Sequence, residues 1–373
     1  MSTLILSSTT GGGHDACAQA IKEVYDKHQV DSQIVDALGF VSSKFNRFVS
    51  WGHVFIYRRI PWLFGWGYRF TEHHPELSEK DAAMYHLLAK GADALGDFLK
   101  QGKYDTVICT HPFASLMLTE TQRRYHLPAK TALVSTDYTC SPCVKDSEMD
   151  LFFIPHGSLT EDFLCDNITK EKIVPTGIPV RQMFYRSGDK ISAKKTYGVS
   201  PDHRHLVMAC GSMGCGPIEE LAQILTQEEA GNRELTIACG TNEKLKEKLE
   251  KRFAGKKNLH VRGFVADMSE LLDSADLFVT KPGGLSVTEA AAKDIPMVFI
   301  HAVDGCEAYN SRFFCDLGGA VTADDVQSLA EVCRGLLADE AACEAMRASL
   351  RAREKRNSAE EIFRIMEKEP ARV

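Results

Sequence analysis

Short apolar runs alternate along the chain with segments whose apolar residues recur at helical spacing. The first run, residues 4–7, leads into three glycines and then a stretch with Cys17, Ile21 and Val24 on one face. A Gly, Pro or polar turn and then a helical pattern follow most of the runs, which predicts parallel β-sheets covered by helices. The other predicted strands are residues 107–109, 132–135, 151–154, 206–210, 235–239, 259–261, 277–280 and 297–300.

This strand–helix rhythm occurs twice, and residues 175–181, Pro-Thr-Gly-Ile-Pro-Val-Arg, separate the two series. The two prolines block a continuing helix and stiffen the connection. The sequence therefore predicts an α/β protein with an N-terminal domain over residues 1–179 and a C-terminal domain over residues 180–373. The last predicted helix, residues 355–368, could instead pack back on the N-terminal domain. Open parallel sheets bind ligands at their strand carboxyl ends, so we expect these doubly wound domains to face each other across a cleft.

Composition narrows the class of protein. The chain has 373 residues, of which 44% are hydrophobic and 25% charged, as in ordinary globular proteins. A formal net charge of −7 argues against nucleic-acid binding. No uncharged apolar run reaches the roughly 18 residues of a membrane span, and the start lacks the basic region of a signal peptide. We therefore expect a cytoplasmic protein.

Cysteine usage points away from metal and redox chemistry. Most of the twelve cysteines stand alone in apolar runs, as expected of reduced, buried thiols. The one Cys-x-x-Cys motif, Cys140-Ser-Pro-Cys143, has no second pair at zinc spacing. We therefore expect neither a metal nor a cofactor.

Three glycine-rich turns follow predicted strands and open predicted helices. Such turns let a phosphate approach the free amides at a helix start. The second turn has the spacing Gly-x-x-Gly-x-Gly and no acid ends the next strand, which favours phosphate binding over NAD binding. Ligand-free tight turns are the alternative. The residues concerned are Gly12, Gly13 and His14 in the first turn, Gly211, Ser212, Gly214 and Gly216 in the second, and Gly283, Gly284, Ser286 and Glu289 in the third.

Three residues at the carboxyl ends of N-terminal strands are candidates for chemistry. His14 is placed for proton transfer, since a neutral imidazole is a base near neutral pH. His111 follows the strand 107–109, and Asp137, after the strand 132–135, could accept a proton or bind a sugar hydroxyl. Helix capping is the alternative for His111 and Asp137.

Residues 37–71 contain no Asp or Glu but hold all three tryptophans, Trp51, Trp62 and Trp66, with Arg58 and Arg59 between them. Interleaved aromatic and basic side chains are typical of contact with an anionic membrane surface. The alternatives are a buried helix hairpin, a hydrophobic acceptor groove and a surface that stacks on single-stranded bases. We favour membrane contact.

These motifs together resemble the monogalactosyldiacylglycerol synthase family and the related processive diacylglycerol glucosyltransferases, which belong with the peptidoglycan lipid II synthase group. The resemblance spans residues 1–350. It is carried by the GGGH turn, Thr136-Asp137-Tyr138, Pro175-Thr-Gly-Ile-Pro179, the second glycine turn and Lys281-Pro-Gly-Gly-Leu-Ser with Glu289. It implies a GT-B fold of two Rossmann-like domains.

The resemblance also implies an inverting transfer of a hexose from UDP-glucose or UDP-galactose to diacylglycerol, or to a glycosyl-diacylglycerol, at the inner face of the cell membrane. The general base would be His14, with Asp137 as its partner or replacement. Of the donor-binding residues, the turn 211–216 and Gly283, Gly284 and Ser286 would hold the diphosphate, Phe264 and Val265 the uracil, Glu289 the ribose, and Glu307 and Asn310 the sugar. Gly12, Gly13, His111 and the aromatic–basic segment would serve the acceptor and the membrane.

Two other readings stay open. The first is a GT-B enzyme with another acceptor, polyprenyl-linked or soluble, or a nucleotide-sugar epimerase. The second is a non-catalytic protein that senses a UDP-sugar. The sequence does not indicate an oligomeric state.

Overall fold

The computed structural model describes residues 2–8, 12–42, 83–211, 216–227, 231–300, 305–353 and 357–368. Within them, the chain forms two parallel six-stranded sheets, one in each half of the sequence. The first sheet has the order β2-β1-β3-β4-β5-β6 and consists of β1 Ser2–Ser7, β2 Asp31–Asp36, β3 Thr106–Cys109, β4 Lys130–Val134, β5 Leu151–Ile154 and β6 Ile173–Pro175. The second has the order β12-β11-β10-β7-β8-β9 and consists of β7 Arg204–Ala209, β8 Arg233–Ala238, β9 Leu259–Arg262, β10 Leu277–Thr280, β11 Met297–Phe299 and β12 Ala320–Thr322.

Helices connect the strands, as parallel pairing requires. In the first half they are α1 Gly12–Lys27, α2 Ala83–Ala89, α3 Ala92–Gly102, α4 Pro112–Tyr125 and α5 Thr160–Phe163. In the second half they are α6 Lys190–Thr196, α7 Ile218–Leu225, α8 Glu243–Arg252, α9 Met268–Ser274, α10 Gly284–Ala292, α11 Cys306–Asp316, α12 Val326–Ala338, α13 Glu340–Ala352 and α14 Ser358–Met366. Single 3-10 turns are Ala37–Phe40, Gly157–Leu159, Lys170–Lys172 and Gln182–Tyr185.

The predicted parallel α/β architecture is confirmed, and every predicted apolar run coincides with a strand, four of them extending one residue past its end. Three strands were not predicted, and all three, β2, β6 and β12, are edge strands of their sheets. An edge strand is paired on one side only, so it needs no continuous apolar run. In β2, Asp-Ser-Gln-Ile-Val-Asp, four of the six residues are accordingly polar, and the strand is only partly buried.

The chain divides into two compact units. The first comprises residues 1–182, 303–306 and 356–373, and the second comprises residues 183–302 and 307–355. The first unit therefore includes α14, whose Phe363 ring stacks at a centroid distance of 4.2 Å on His28, the residue directly after α1. Glu360 of the same helix accepts hydrogen bonds from His28 and from Lys27. These contacts attach the end of the chain to its first helix.

A buried histidine links three elements of the second unit. His205 lies at the start of β7 and is fully buried. Its Nε2 is 2.7 Å from Thr236 Oγ1 of β8, and its Nδ1 is 3.0 Å from Ser274 Oγ of α9. Burial lowers the pKa of His205 to about 4, so the native ring is neutral at physiological pH.

This histidine predicts acid sensitivity of the second unit. At pH values between the unfolded pKa near 6.5 and the native pKa, the histidine of the unfolded chain is protonated while the native ring stays neutral. The free energy of unfolding therefore falls as pH falls. From pH 7 to pH 5 this group should cost about 2 kcal/mol of unfolding free energy. Urea unfolding at pH 7 and at pH 5, monitored by hydrogen exchange of the amides in β7 and β8, measures this change. His205→Gln should lose the acid-dependent part, whereas the exposed His86→Gln should retain it. An equal fall for His205→Gln and the wild type would contradict the assignment.

Candidate active site

Three neighbouring strands bring the N-terminal candidate residues to one edge of the first sheet. β1 pairs with β3 and β3 with β4, so their carboxyl ends lie side by side. His14 is in the first turn of α1, after β1, while His111 follows β3 and Thr136 follows β4. Residues more than 90 positions apart in the sequence therefore meet at this edge.

The His14 ring has a defined set of partners. Its Nδ1 is 2.8 Å from the backbone oxygen of Thr110 and 3.1 Å from Thr136 Oγ1. A carbonyl oxygen only accepts hydrogen bonds, so Nδ1 carries the ring proton and donates it. In the neutral ring, Nε2 then keeps an unprotonated lone pair, which a general base requires. The Thr110 hydroxyl donates to the backbone oxygen of His14 at 3.2 Å and holds the turn itself.

His111 lies against His14 and also caps a helix. The two ring centroids are 4.3 Å apart, with the planes inclined at 63°. His111 is buried, and its Nδ1 accepts a hydrogen bond from the backbone N–H of Phe113 at 2.9 Å, as the N-cap of α4. The capping alternative is therefore confirmed for His111, and the same ring packs against one side of the His14 ring.

A small cavity of about 20 Å³ lies beside this cluster. The cavity is lined by His14, Pro112, Leu133, Val134, Ser135, Thr136, Ser141 and Val144.

The other N-terminal candidates lie near this edge or outside the described residues. Asp137 directly follows Thr136 and is half-buried, and Gly12 and Gly13 are the first two residues of α1. Trp51, Arg58, Arg59, Trp62 and Trp66 lie outside the described residues.

The second sheet repeats this arrangement at its own carboxyl edge. β7, β10 and β11 are adjacent there, so the second and third glycine turns follow neighbouring strands. The second turn begins at Gly211, whose φ of 69° suits glycine. Gly216 has φ of 127°, and a Cβ there would lie 2.6 Å from the Ile300 side chain. Ser212 and Gly214 are not among the residues that the structure describes.

The third turn forms the start of α10. Gly283 is the N-cap of this helix and Gly284 its first residue, so the first amides of a nine-residue helix follow the turn directly. Ser286 and Glu289 lie further along α10 and are half-buried. Phe264 follows β9 with 68% of its surface exposed, and the adjacent Val265 is half-buried.

Two contacts join the third turn to α11. Asn310 is fully buried, and its amide donates to the backbone oxygen of Pro282 at 2.9 Å. Lys281 Nζ lies 3.1 Å from Glu307 Oε1, in an ion pair of which both side chains are largely covered. These contacts hold Glu307 in place against the turn, and sequence reasoning gave Lys281 no such role.

The two thiols of the Cys-x-x-Cys motif are both largely buried. Burial raises the pKa of Cys140 and of Cys143 to about 12, which keeps both protonated near neutral pH. Across the described ranges, no group of three His, Cys, Asp or Glu side chains is placed to hold a metal ion. Nor is any described helix long and apolar enough to cross a membrane.

The capping role of His111 predicts a graded effect on stability. His111→Ala removes the acceptor for the Phe113 amide and should destabilise the protein by about 1 kcal/mol. His111→Asn supplies another capping oxygen and should restore most of that loss, because Asn is among the best N-cap residues. Thermal unfolding of the three proteins tests this order. Equal melting temperatures for the Ala variant and the wild type would contradict it.

Two family models match the chain. The model described as monogalactosyldiacylglycerol (MGDG) synthase matches residues 14–180, and that of the glycosyltransferase family 28 C-terminal domain matches residues 205–362. A curated relative, the processive diacylglycerol beta-glucosyltransferase of Bacillus licheniformis, is 30% identical over 275 residues. That match covers 73% of this chain and 71% of the relative.

Solved structures share the fold. The crystal structure of Acinetobacter baumannii MurG matches with a TM-score of 0.63 at 16% identity and covers 99% of each chain. The co-structure of S. aureus MnaA with UDP matches with a TM-score of 0.65 at 14% identity, over 97% of this chain and 95% of that one. The predicted GT-B fold and the predicted family are thus both confirmed: the chain belongs to the family of monogalactosyldiacylglycerol synthases and processive diacylglycerol glucosyltransferases.

Proposed function

We propose that the protein transfers a hexose from a UDP-sugar to diacylglycerol, or to a glycosyl-diacylglycerol, with inversion at the anomeric carbon. Family membership supports the reaction class, and the name of the Bacillus licheniformis relative favours a glucose donor over galactose. The observation that carries the proposal is the His14 ring, whose Nδ1–H is directed at the Thr110 carbonyl, so that Nε2 is the unprotonated nitrogen of the neutral ring.

The acceptor half of the reaction needs one proton removed. The acceptor hydroxyl attacks the anomeric carbon from the face opposite UDP, the new C–O bond forms, and the bond to the UDP oxygen breaks. His14 Nε2 takes the hydroxyl proton as this bond forms, and the ring becomes an imidazolium. Asp137, one residue beyond Thr136, is the proposed partner or replacement of His14. Gly12, Gly13 and His111 border the same edge and are the proposed acceptor contacts.

The donor side of the reaction requires groups that stabilise the negative charge on the leaving UDP. The amides at the start of α10, together with the turn from Gly211 to Gly216, are the proposed diphosphate site, because helix N-termini attract anions. Such backbone stabilisation requires no cofactor and no metal ion. The remaining proposed contacts are Phe264 and Val265 with uracil, Glu289 with ribose, and Glu307 and Asn310 with the sugar.

The proposed place of action is the inner face of the cell membrane, with the protein peripheral and otherwise cytoplasmic. The name of the Bacillus licheniformis relative gives diacylglycerol, a lipid, as its acceptor. The aromatic–basic segment 37–71 has the composition that binds an anionic surface. Its tryptophans would enter the interface while its arginines meet lipid phosphates.

The direct test supplies purified protein with vesicles of phosphatidylglycerol and diacylglycerol and a panel of UDP-sugars. UDP release together with a new glycolipid is expected for UDP-glucose or UDP-galactose, and the anomeric form of the product tests inversion. UDP binding without any glycolipid would contradict the acceptor assignment. Absence of UDP binding would contradict the donor site as well.

Removal of the base should slow turnover without abolishing donor binding. His14→Gln keeps a polar side chain of similar reach but cannot accept the proton, so turnover should fall about 10²–10⁴-fold. The matched control is His156→Gln, which replaces an exposed histidine of the same unit. Initial rates of UDP release over a substrate series measure the effect. Near-normal turnover of His14→Gln would remove His14 from this role.

Membrane binding should depend on the tryptophans of the segment. Flotation with anionic vesicles is expected to recover the wild-type protein, and recovery should fall as salt rises because phosphate–arginine attraction is screened. The double variant Trp62→Ala and Trp66→Ala should float poorly. The control Ile191→Ala removes an exposed apolar side chain elsewhere, 52% exposed, and should float normally. Equal flotation of the tryptophan variant and the wild type would contradict the membrane role.

A further inference from the structure

The two oxygens beside His14 Nδ1 have different chemical capacities. Thr110 contributes a backbone carbonyl, which accepts only, and Thr136 contributes a hydroxyl, which can donate or accept. Because a carbonyl cannot donate, the contact of 2.8 Å to Thr110 requires the proton on Nδ1. The hydroxyl at 3.1 Å then accepts a second share of the same N–H.

We propose that Thr136 is a positioning residue that acts through His14, and that its hydroxyl and the Thr110 carbonyl together form a clamp on Nδ1. A single acceptor lets an imidazole pivot about its Cβ–Cγ bond, whereas two acceptors in different places define the ring plane. The direction of the Nε2 lone pair is thereby fixed. This inference rests on the proposed function, in which Nε2 takes the acceptor proton.

The clamp is built on rigid elements. Its two arms follow β3 and β4, which are paired in register with Cys109 opposite Leu133. Thr136 is 93% buried, so its hydroxyl is shielded from competing water. On another side, the ring of His111 packs at 4.3 Å and restricts rotation further. Catalytic groups are held accurately when their supports lie on such paired strands.

The clamp also acts on the charge that forms during reaction. When Nε2 takes the proton, the imidazolium charge spreads to Nδ1–H, and hydrogen bonds from a charged donor are stronger than those from a neutral one. The contact to Thr136 is therefore stronger in the transition state than in the resting enzyme, which raises kcat rather than substrate affinity. This is the role that a buried carboxylate has beside the histidine of a serine protease.

The test compares Thr136→Val, which keeps the shape and removes the hydroxyl, with Thr136→Ser, which keeps the hydroxyl. Loss of one strengthened hydrogen bond should lower kcat about tenfold in the Val variant, with KM for the donor within about twofold. The Ser variant should recover most of the rate. The control Thr169→Val changes an exposed threonine of the same unit and should keep the wild-type rate.

Nitrogen NMR of the histidine rings gives a readout independent of turnover. The His14 signals, identified by their loss in His14→Gln, should show a protonated Nδ1 and a bare Nε2 in the wild type at high pH. Thr136→Val should show a second tautomer or a broadened ring signal. A wild-type ring protonated at Nε2 would overturn the clamp, and so would an unchanged kcat and spectrum in Thr136→Val. Failure of the proposed function would appear differently, as a clamped ring in a protein that makes no glycolipid.

Discussion

Parallel pairing of neighbouring strands is the constraint on which the candidate residues of each unit depend. Because β1, β3 and β4 run in the same direction in adjacent positions, the turns that follow them meet at one edge, and His14 reaches Thr110 and Thr136. The same rule applies to β7, β10 and β11 in the second unit. There it places the second and third glycine turns and the start of α11 after neighbouring strands. Loss of register in either sheet would separate groups that lie far apart in the sequence.

The buried centres of the two sheets could be predicted because their strands are apolar on both faces. The predicted runs 151–154 and 277–280 coincide with β5 and β10. Three of the four edge strands, β2, β6 and β12, could not be predicted in the same way, since pairing with a neighbour rather than apolar content makes them strands. In β6, for example, three residues ending in Pro175 pair with β5 along one side only. The return of α14 to α1 likewise depends on contacts such as Phe363 with His28, which no local pattern encodes.

The candidate site was predictable to the level of residue types at strand ends, and no further. A glycine turn followed by His14 indicates a base at a strand end. The contact of Nδ1 with the Thr110 backbone oxygen identifies the protonated nitrogen, and it joins residues 96 positions apart, so neither motif indicates it. His111 was a candidate for acceptor binding or capping, and its Nδ1 has the capping role. The ion pair of Lys281 with Glu307 joins residues on different elements, so sequence spacing alone did not indicate it.

The proposed roles are proton removal by the first unit and UDP binding by the second, and one pair of measurements separates them. UDP affinity by calorimetry and glycolipid formation should be compared in the wild type and in His14→Gln. We expect the same Kd for UDP in both proteins, with glycolipid formation about 10²–10⁴-fold slower in the variant. A variant that makes glycolipid at the wild-type rate, or that loses UDP binding together with turnover, would contradict these roles.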